Sequence, residues 1–176
     1  MRTKSNVDGF TLIELLIVVA IIGIIAAISV PGLLRARMAG NEASAIGSLR
    51  AVNSAQATYA ASCGSGFYAP SLANLATPPT LSGGDGFIGP DLGADPSLKS
   101  SYTVAMTGGP AAAGAPASCN GAAVGSVVST YFVGANPITG GGARYFGTNQ
   151  GGTIFQANQA VSVTQSGAPN GATPIQ

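Results

Sequence analysis

Residues 9–31 read GFTLIELLIVVAIIGIIAAISVP, a long apolar run whose sole charge, Glu14, lies near its outer end. At about 1.5 Å rise per residue, a helix over residues 10–30 reaches roughly 32 Å, which matches a hydrocarbon core of about 30 Å. The run is therefore long enough to cross a bilayer. A carboxylate inside such a segment costs on the order of 2.5–3.5 kcal/mol on insertion scales, so Glu14 is expected to face a partner rather than lipid. Gly23 and Pro31 interrupt the run. Proline removes one intrahelical hydrogen bond and is expected to bend the helix, while a glycine lets a second helix approach closely.

On the N-terminal side, residues 1–9 (MRTKSNVDG) carry Arg2 and Lys4. A short basic leader, Gly9, the sequence Phe-Thr-Leu-Ile-Glu-Leu from Phe10 to Leu15, and an apolar helix together resemble the precursor of a type IV pilin or a type II secretion pseudopilin. The resemblance covers residues 2–37. It implies that a prepilin peptidase cuts between Gly9 and Phe10 and N-methylates Phe10, so that residues 1–9 are a leader. A residue without a side chain at position 9 suits extended backbone entering a protease site. Cutting exposes an amine at Phe10, four residues from Glu14. In a staggered array of parallel helices the ammonium of one subunit can meet the Glu14 carboxylate of another and set the register. Breaking one partner of such a buried pair typically costs about 3–5 kcal/mol. Thr11 either adds a hydroxyl hydrogen bond there or simply occupies the first turn.

Two rival readings of the run need neither feature. A Sec signal peptide has a shorter apolar region, of about 7–15 residues, and no reason for a glutamate within it. An ordinary single-span anchor has no use for Gly9 or Glu14. Flanking charge does not fix the orientation, because Arg2 and Lys4 lie on one side and Arg35 and Arg37 on the other. Outward placement of the remainder is what the resemblance implies.

The 176 residues suffice for one membrane helix and one modest domain. Only 7% are charged and the formal net charge is +1, so no general field attracts nucleic acid, and none is expected as a partner. Histidine is absent, which removes the commonest general base and the commonest metal ligand together. Neither an enzyme nor a cofactor is expected. The 26 glycines cluster with Ala, Ser, Thr and Pro after residue 63, so this part should be rich in loops. Cys63 and Cys119 are too few for a zinc site and too far apart for a redox CxxC pair. One disulfide, closing a loop of about 57 residues in an oxidising compartment, is set against two buried free thiols.

Residues 35–63 continue as an amphipathic helix. Ile46, Leu49, Val52 or Asn53, Ala57 and Ala60 recur at three- and four-residue spacing, and Gly64 is a natural stop. Glu42 stands eight residues before Arg50, too far for an intrahelical pair, so it either pairs between subunits or is solvated. Residues 65–99 are punctuated by prolines and glycines and read as irregular loop. Asp85, Asp91 and Asp95 within it are weak calcium candidates, since their spacing matches no calcium loop and they also suit turns and caps. Strands are expected over 102–106, 125–133, 143–147 and 153–156, with a weaker one over 160–164, and the third and fourth form a hairpin. Residues 108–117 and 167–176 read as low-complexity surface.

The expected fold is α+β, a long N-terminal helix packed on a small antiparallel sheet. Its parts are a leader (1–9), a transmembrane and assembly helix (10–34), an amphipathic continuation (35–63) and a loop-rich β headpiece (64–176). The function implied by the resemblance is a structural subunit of a type IV pilus-like filament. The precursor would sit in the inner membrane in contact with lipid, and the product would be an extracellular homopolymer. No GxxxxGK[ST] occurs, so an assembly platform and a motor ATPase would act in trans. Alternatives are a pseudopilin forming a short periplasmic piston, a minor pilin with an adhesive headpiece, and a membrane-anchored enzyme. The last would need a catalytic constellation that these residues do not supply.

Overall fold

A computed structural model of the chain describes residues 9–80 and 84–175. Residues 1–8 with the basic residues of the leader, residues 81–83 of the expected irregular loop, and Gln176 lie outside the described residues. Helix α1 spans Leu12–Ser62, and the chain divides within it into two units, Met1–Arg37 and Met38–Gln176. In the first unit helical backbone runs through Gly23 and Pro31 without a break, and every described side chain is exposed.

In the second unit, the part of α1 from Met38 onward packs on an antiparallel meander of six strands, in the order β1-β2-β3-β4-β5-β6. These are β1 (Ser97–Lys99), β2 (Tyr102–Gly108), β3 (Tyr131–Pro137), β4 (Tyr145–Asn149), β5 (Ile154–Ala157) and β6 (Thr173–Pro174). In β2 the period-two alternation puts Tyr102, Val104 and Met106 into the core, where they meet Leu49, Val52 and Tyr59 of the helix. A short helix α2 (Leu72–Ala76) adds Leu72 and Leu75 to the same core, and the Ser71 hydroxyl caps it by accepting from the Asn74 N–H. This is the α+β arrangement expected above: a long N-terminal apolar helix whose continuation lies on a small antiparallel sheet.

Several boundaries differ from expectation. The buried helical stripe runs through Glu42, Ala45, Leu49, Val52, Gln56 and Tyr59, while Ala57 is exposed. The Tyr59 ring, stacked edge-on against Phe87 at 5.3 Å, turns this face inward, a larger apolar contribution than Ala57 or Ala60 could make. The buried Gln56 amide is satisfied by the backbone of Ala69, donating to its carbonyl at 3.0 Å and accepting from its N–H at 2.9 Å.

The helix ends at Ser62, two residues before Gly64. Gly64 is required for close approach: a Cβ there would lie 2.7 Å from the Tyr59 ring and against the Phe67 carbonyl. The left-handed residues of this turn are Ser65 and Gly66.

The expected strand over 125–133 begins only at Tyr131, because the preceding residues are taken up by turns and by isolated bridges from Val128 to Tyr68 and Ala111. The one expected over 143–147 is displaced to Tyr145–Asn149, since the N–H groups of Ala143 and Arg144 bind Glu42 instead of a strand neighbour. Residues 160–164 form no strand. The two segments read as low-complexity surface contribute to the fold. Ala112 donates to Val127 and Ala115 is buried, while β6 in the tail pairs with β5 through Phe155↔Pro174.

Candidate assembly site

The first turn of α1 is built by a reciprocal pair. The Thr11 N–H donates to Glu14 Oε2 at 2.9 Å, and the Glu14 N–H donates to Thr11 Oγ1 at 3.3 Å. This is a capping box, in which two of the amides left unpaired at a helix start are satisfied by each other's side chains. The Thr11 hydroxyl also donates to Glu14 Oε2 at 2.6 Å. The Thr-x-x-Glu spacing is a sequence-level signature of this device, and reading Thr11 only as a hydroxyl donor or first-turn residue overlooked it. All the carboxylate's bonds fall on Oε2, so Oε1 has no partner among the described residues.

From Leu12 to Leu34 the large apolar side chains are all exposed, Ile28 at 75% and Leu12 at 79%. Such continuous exposure is incompatible with a water-bathed helix and marks a surface that lipid or protein covers. Gly23 has nothing within 4 Å of where a Cβ would stand, so no contact among the described residues accounts for it. Gly9, at the head of this segment, has the same open surroundings.

Glu42 follows neither of the two courses foreseen for it. It is buried against Arg144 of the same chain, whose Nε and Nη2 donate to Oε2 at 2.9 and 2.7 Å, while Oε1 accepts from the N–H groups of Ala143 and Arg144. Burial opposes ionisation of this carboxyl. The Ala143 N–H, the Arg144 side chain with its charge, and the Arg144 N–H outweigh burial and hold the carboxyl below its usual range. The helix is thereby tied to the start of β4. Arg144 was not foreseen in this role, because 102 residues separate it from Glu42 and no local pattern links them.

Two of the three candidate aspartates are spent on structure. Asp91 pairs with Lys99 at 2.5 Å, and this partner holds its carboxyl below the ordinary range. Asp95 accepts from the N–H of Leu72 and of Met106, joining α2 to β2, and Asp85 is exposed. Among the described residues no three potential metal ligands come together. Cys63, just past the end of α1, is joined to Cys119 by a disulfide, and backbone hydrogen bonding from the Cys119 N–H to the Cys63 carbonyl reinforces that junction.

Residues 4–30 match the family model described as the prokaryotic N-terminal methylation motif. Over 37 residues the chain is 62% identical to the type IV wide pilus major component PilA4 of Thermus thermophilus, covering 21% of this chain and 28% of that protein. Over 58 residues it is 47% identical to the type IV major pilin protein PilA of Myxococcus xanthus, covering 33% of this chain and 26% of that protein. The chain thus spans only about a quarter of the length of these curated relatives. No solved structure matches it. The chain thus carries the methylation motif over residues 4–30 and is similar, over 37 and 58 residues, to two type IV pilus components.

Proposed function

We propose that the chain is the structural subunit of a type IV pilus-like filament, with no catalytic role of its own. In this reading the precursor spans the inner membrane through residues 10–34. A prepilin peptidase removes residues 1–9 by cutting between Gly9 and Phe10 and methylates the new Phe10 amine. Subunits then polymerise through α1 into an extracellular homopolymer, driven by a membrane platform and its motor ATPase. The observation that carries the reading is the methylation motif over residues 4–30, which from Leu12 on is helical with its large apolar side chains exposed. Polymerisation would cover that surface, with Gly23 admitting a neighbouring helix and Pro31 placing a weak point in the hydrogen-bond ladder.

The Glu14 carboxylate has a defined part in this scheme. Its Oε2 holds the first turn together, and its Oε1 remains open to the Phe10 ammonium of a neighbouring subunit. Methylation keeps that ammonium charged. The filament reading follows the two relatives, both of them type IV pilus components.

Intact mass and N-terminal fragment sequencing, on material sheared from cells and separately on membranes, test the proposal. A chain starting at N-methylated Phe10 in the sheared fraction is expected. The same chain confined to membranes points to a pseudopilin, and an intact Met1 or a start near Val30 overturns the proposal.

A further inference from the structure

We infer that Arg35 and Arg37 form a cationic collar that docks on the phosphates of anionic phospholipids in the leaflet on the headpiece side. The inference rests on the membrane-spanning reading proposed above and adds a lipid-binding function to it. Between Glu14 and Arg35 stand twenty uncharged residues, 15–34. Twenty-one steps of about 1.5 Å place the two charged positions roughly 32 Å apart along the helix, close to the thickness of a hydrocarbon core of about 30 Å. With Glu14 at one boundary, Arg35 stands at the opposite one and Arg37 a further ~3 Å out, where an arginine reaches headgroup phosphates.

Among the described residues no carboxylate pairs with these two guanidinium groups. Both are exposed and make no hydrogen bond or ion pair among the described residues. Of the described carboxylates, Glu14 lies at the far end of the span, Glu42 is taken by Arg144, Asp91 by Lys99, and Asp95 by two backbone amides. Asp85 alone is uncommitted. Two residues along a helix correspond to about 200° of rotation, so Arg35 and Arg37 point to opposite sides. A protein partner on one face would meet only one of them. Headgroups surround the helix and meet both, and a planar guanidinium matches a phosphate with two parallel hydrogen bonds. Cations on a translocated flank also run against the usual bias of membrane topology, and a headgroup contact gives them a role there.

The collar would hold the processed subunit at a fixed depth. Cutting after Gly9 removes Arg2 and Lys4 from the opposite flank and leaves Arg35 and Arg37 as the basic side chains bordering the span.

The full chain, reconstituted in vesicles of phosphatidylcholine with one quarter phosphatidylglycerol, provides the test. Spin-labelled forms of each lipid report which one is held at the protein, and protease protection reports insertion. Wild type is expected to hold phosphatidylglycerol over phosphatidylcholine with a preference of about fivefold per arginine, which high salt abolishes. Arg35→Gln and Arg37→Gln should each remove about one fivefold factor, and the double variant the whole preference, with insertion unchanged. Insertion without any lipid preference, or a preference that survives in the double variant, overturns the collar and leaves the spanning reading intact. Failure of wild type to insert sinks both. Loss of a copy-to-copy cross-link at Arg35 on Asp85→Asn, in place of a lipid effect, would assign the arginines to a second copy and also overturn the inference.

Discussion

The Arg144 guanidinium closes on the buried Glu42 carboxylate with an Nη2–Oε2 distance of 2.7 Å, joining the helix to the start of β4 across 102 residues of chain. Because Glu42 is 8% exposed and Arg144 45%, the pair lies between a surface bridge and a fully buried one. Arg144→Ala leaves the carboxylate with only two backbone donors and should cost about 1–3 kcal/mol in denaturant unfolding of the full chain in detergent. Glu42→Gln should cost a similar amount. A double-mutant cycle should return a coupling of about 1 kcal/mol or more, and a coupling near zero would show that the pair contributes only packing.

The same carboxyl sets the acid response. Its folded pKa lies below the ordinary value of 4.5, so its contribution is fully present above about pH 4.5 and disappears as pH falls through the folded value. Thermal unfolding should therefore be flat from pH 7 to 5 and decline below, with a shallower decline in Glu42→Gln. On the alkaline side burial, with Glu42 nearby, pushes the Tyr102 phenol up to about 12. Its neutral form is the one the core accepts, donating to the Arg144 carbonyl at 2.8 Å. That contribution holds below pH 10 and is lost as pH rises toward 12. Ultraviolet titration should find one tyrosine ionising near that value while the fold lasts.

Two glycines of the α1 region should respond to alanine with opposite signs. At Gly64 the new Cβ would meet the Tyr59 ring at 2.7 Å and the Phe67 carbonyl, so Gly64→Ala should destabilise by about 1–3 kcal/mol. At Gly47, in mid-helix, nothing lies within 4 Å, so Gly47→Ala should stabilise the isolated subunit by about 0.5–1 kcal/mol through helix propensity. Melting both variants as subunits, before any assembly, checks the signs.

The N-terminal half was the legible part. A 21-residue run, 10–30, that is apolar but for Thr11, Glu14 and Ser29 admits few physical readings, and Thr-x-x-Glu announces its capping box to anyone checking that spacing. The headpiece was harder. Strand β2 was readable because Tyr102, Val104 and Met106 alternate, but β3 was placed six residues early, as Val127 and Val128 look like strand residues while the first is buried outside any strand and the second makes only isolated bridges. Residues 108–117 look like linker because alanine and glycine carry no pattern, yet Ala115 is buried. The Glu42–Arg144 tie depends on chain topology rather than local spacing, which is why Arg50, nearer in sequence, was weighed in its place.

The disulfide fastens the end of α1 to the loop ahead of β3, with a sequence separation of 56. By loop-closure entropy such a link is worth at most about 4 kcal/mol, the usual range being about 2–4. Cys119→Ser should lower the unfolding free energy by that amount. Wild type under reductant should fall to the same value, and the variant should not respond to reductant at all. A variant as stable as oxidised wild type would mean that the Cys63–Cys119 hydrogen bonding and the surrounding core hold this junction unaided.

At the head of α1 the two duties proposed for Glu14 can be separated by conservative substitution. Glutamine serves the N3 position of a capping box as well as glutamate does, so Glu14→Gln keeps the first turn but removes the charge. Thr11→Val does the reverse, abolishing the hydroxyl contacts at 2.6 and 3.3 Å while keeping the carboxylate charged and bound by the backbone N–H of residue 11, at a cost of about 1 kcal/mol in the helix start. If Glu14 meets a neighbouring Phe10 ammonium, Glu14→Gln should insert and be processed normally yet yield at least tenfold less filament by electron microscopy and shearing. Thr11→Val should lose only a few-fold. If instead Glu14 acts only as a cap, the order reverses, because the glutamine variant retains what matters and the valine variant does not. Filament yield from Glu14→Gln at the wild-type level would therefore dismiss the charge pair while leaving the capping role standing.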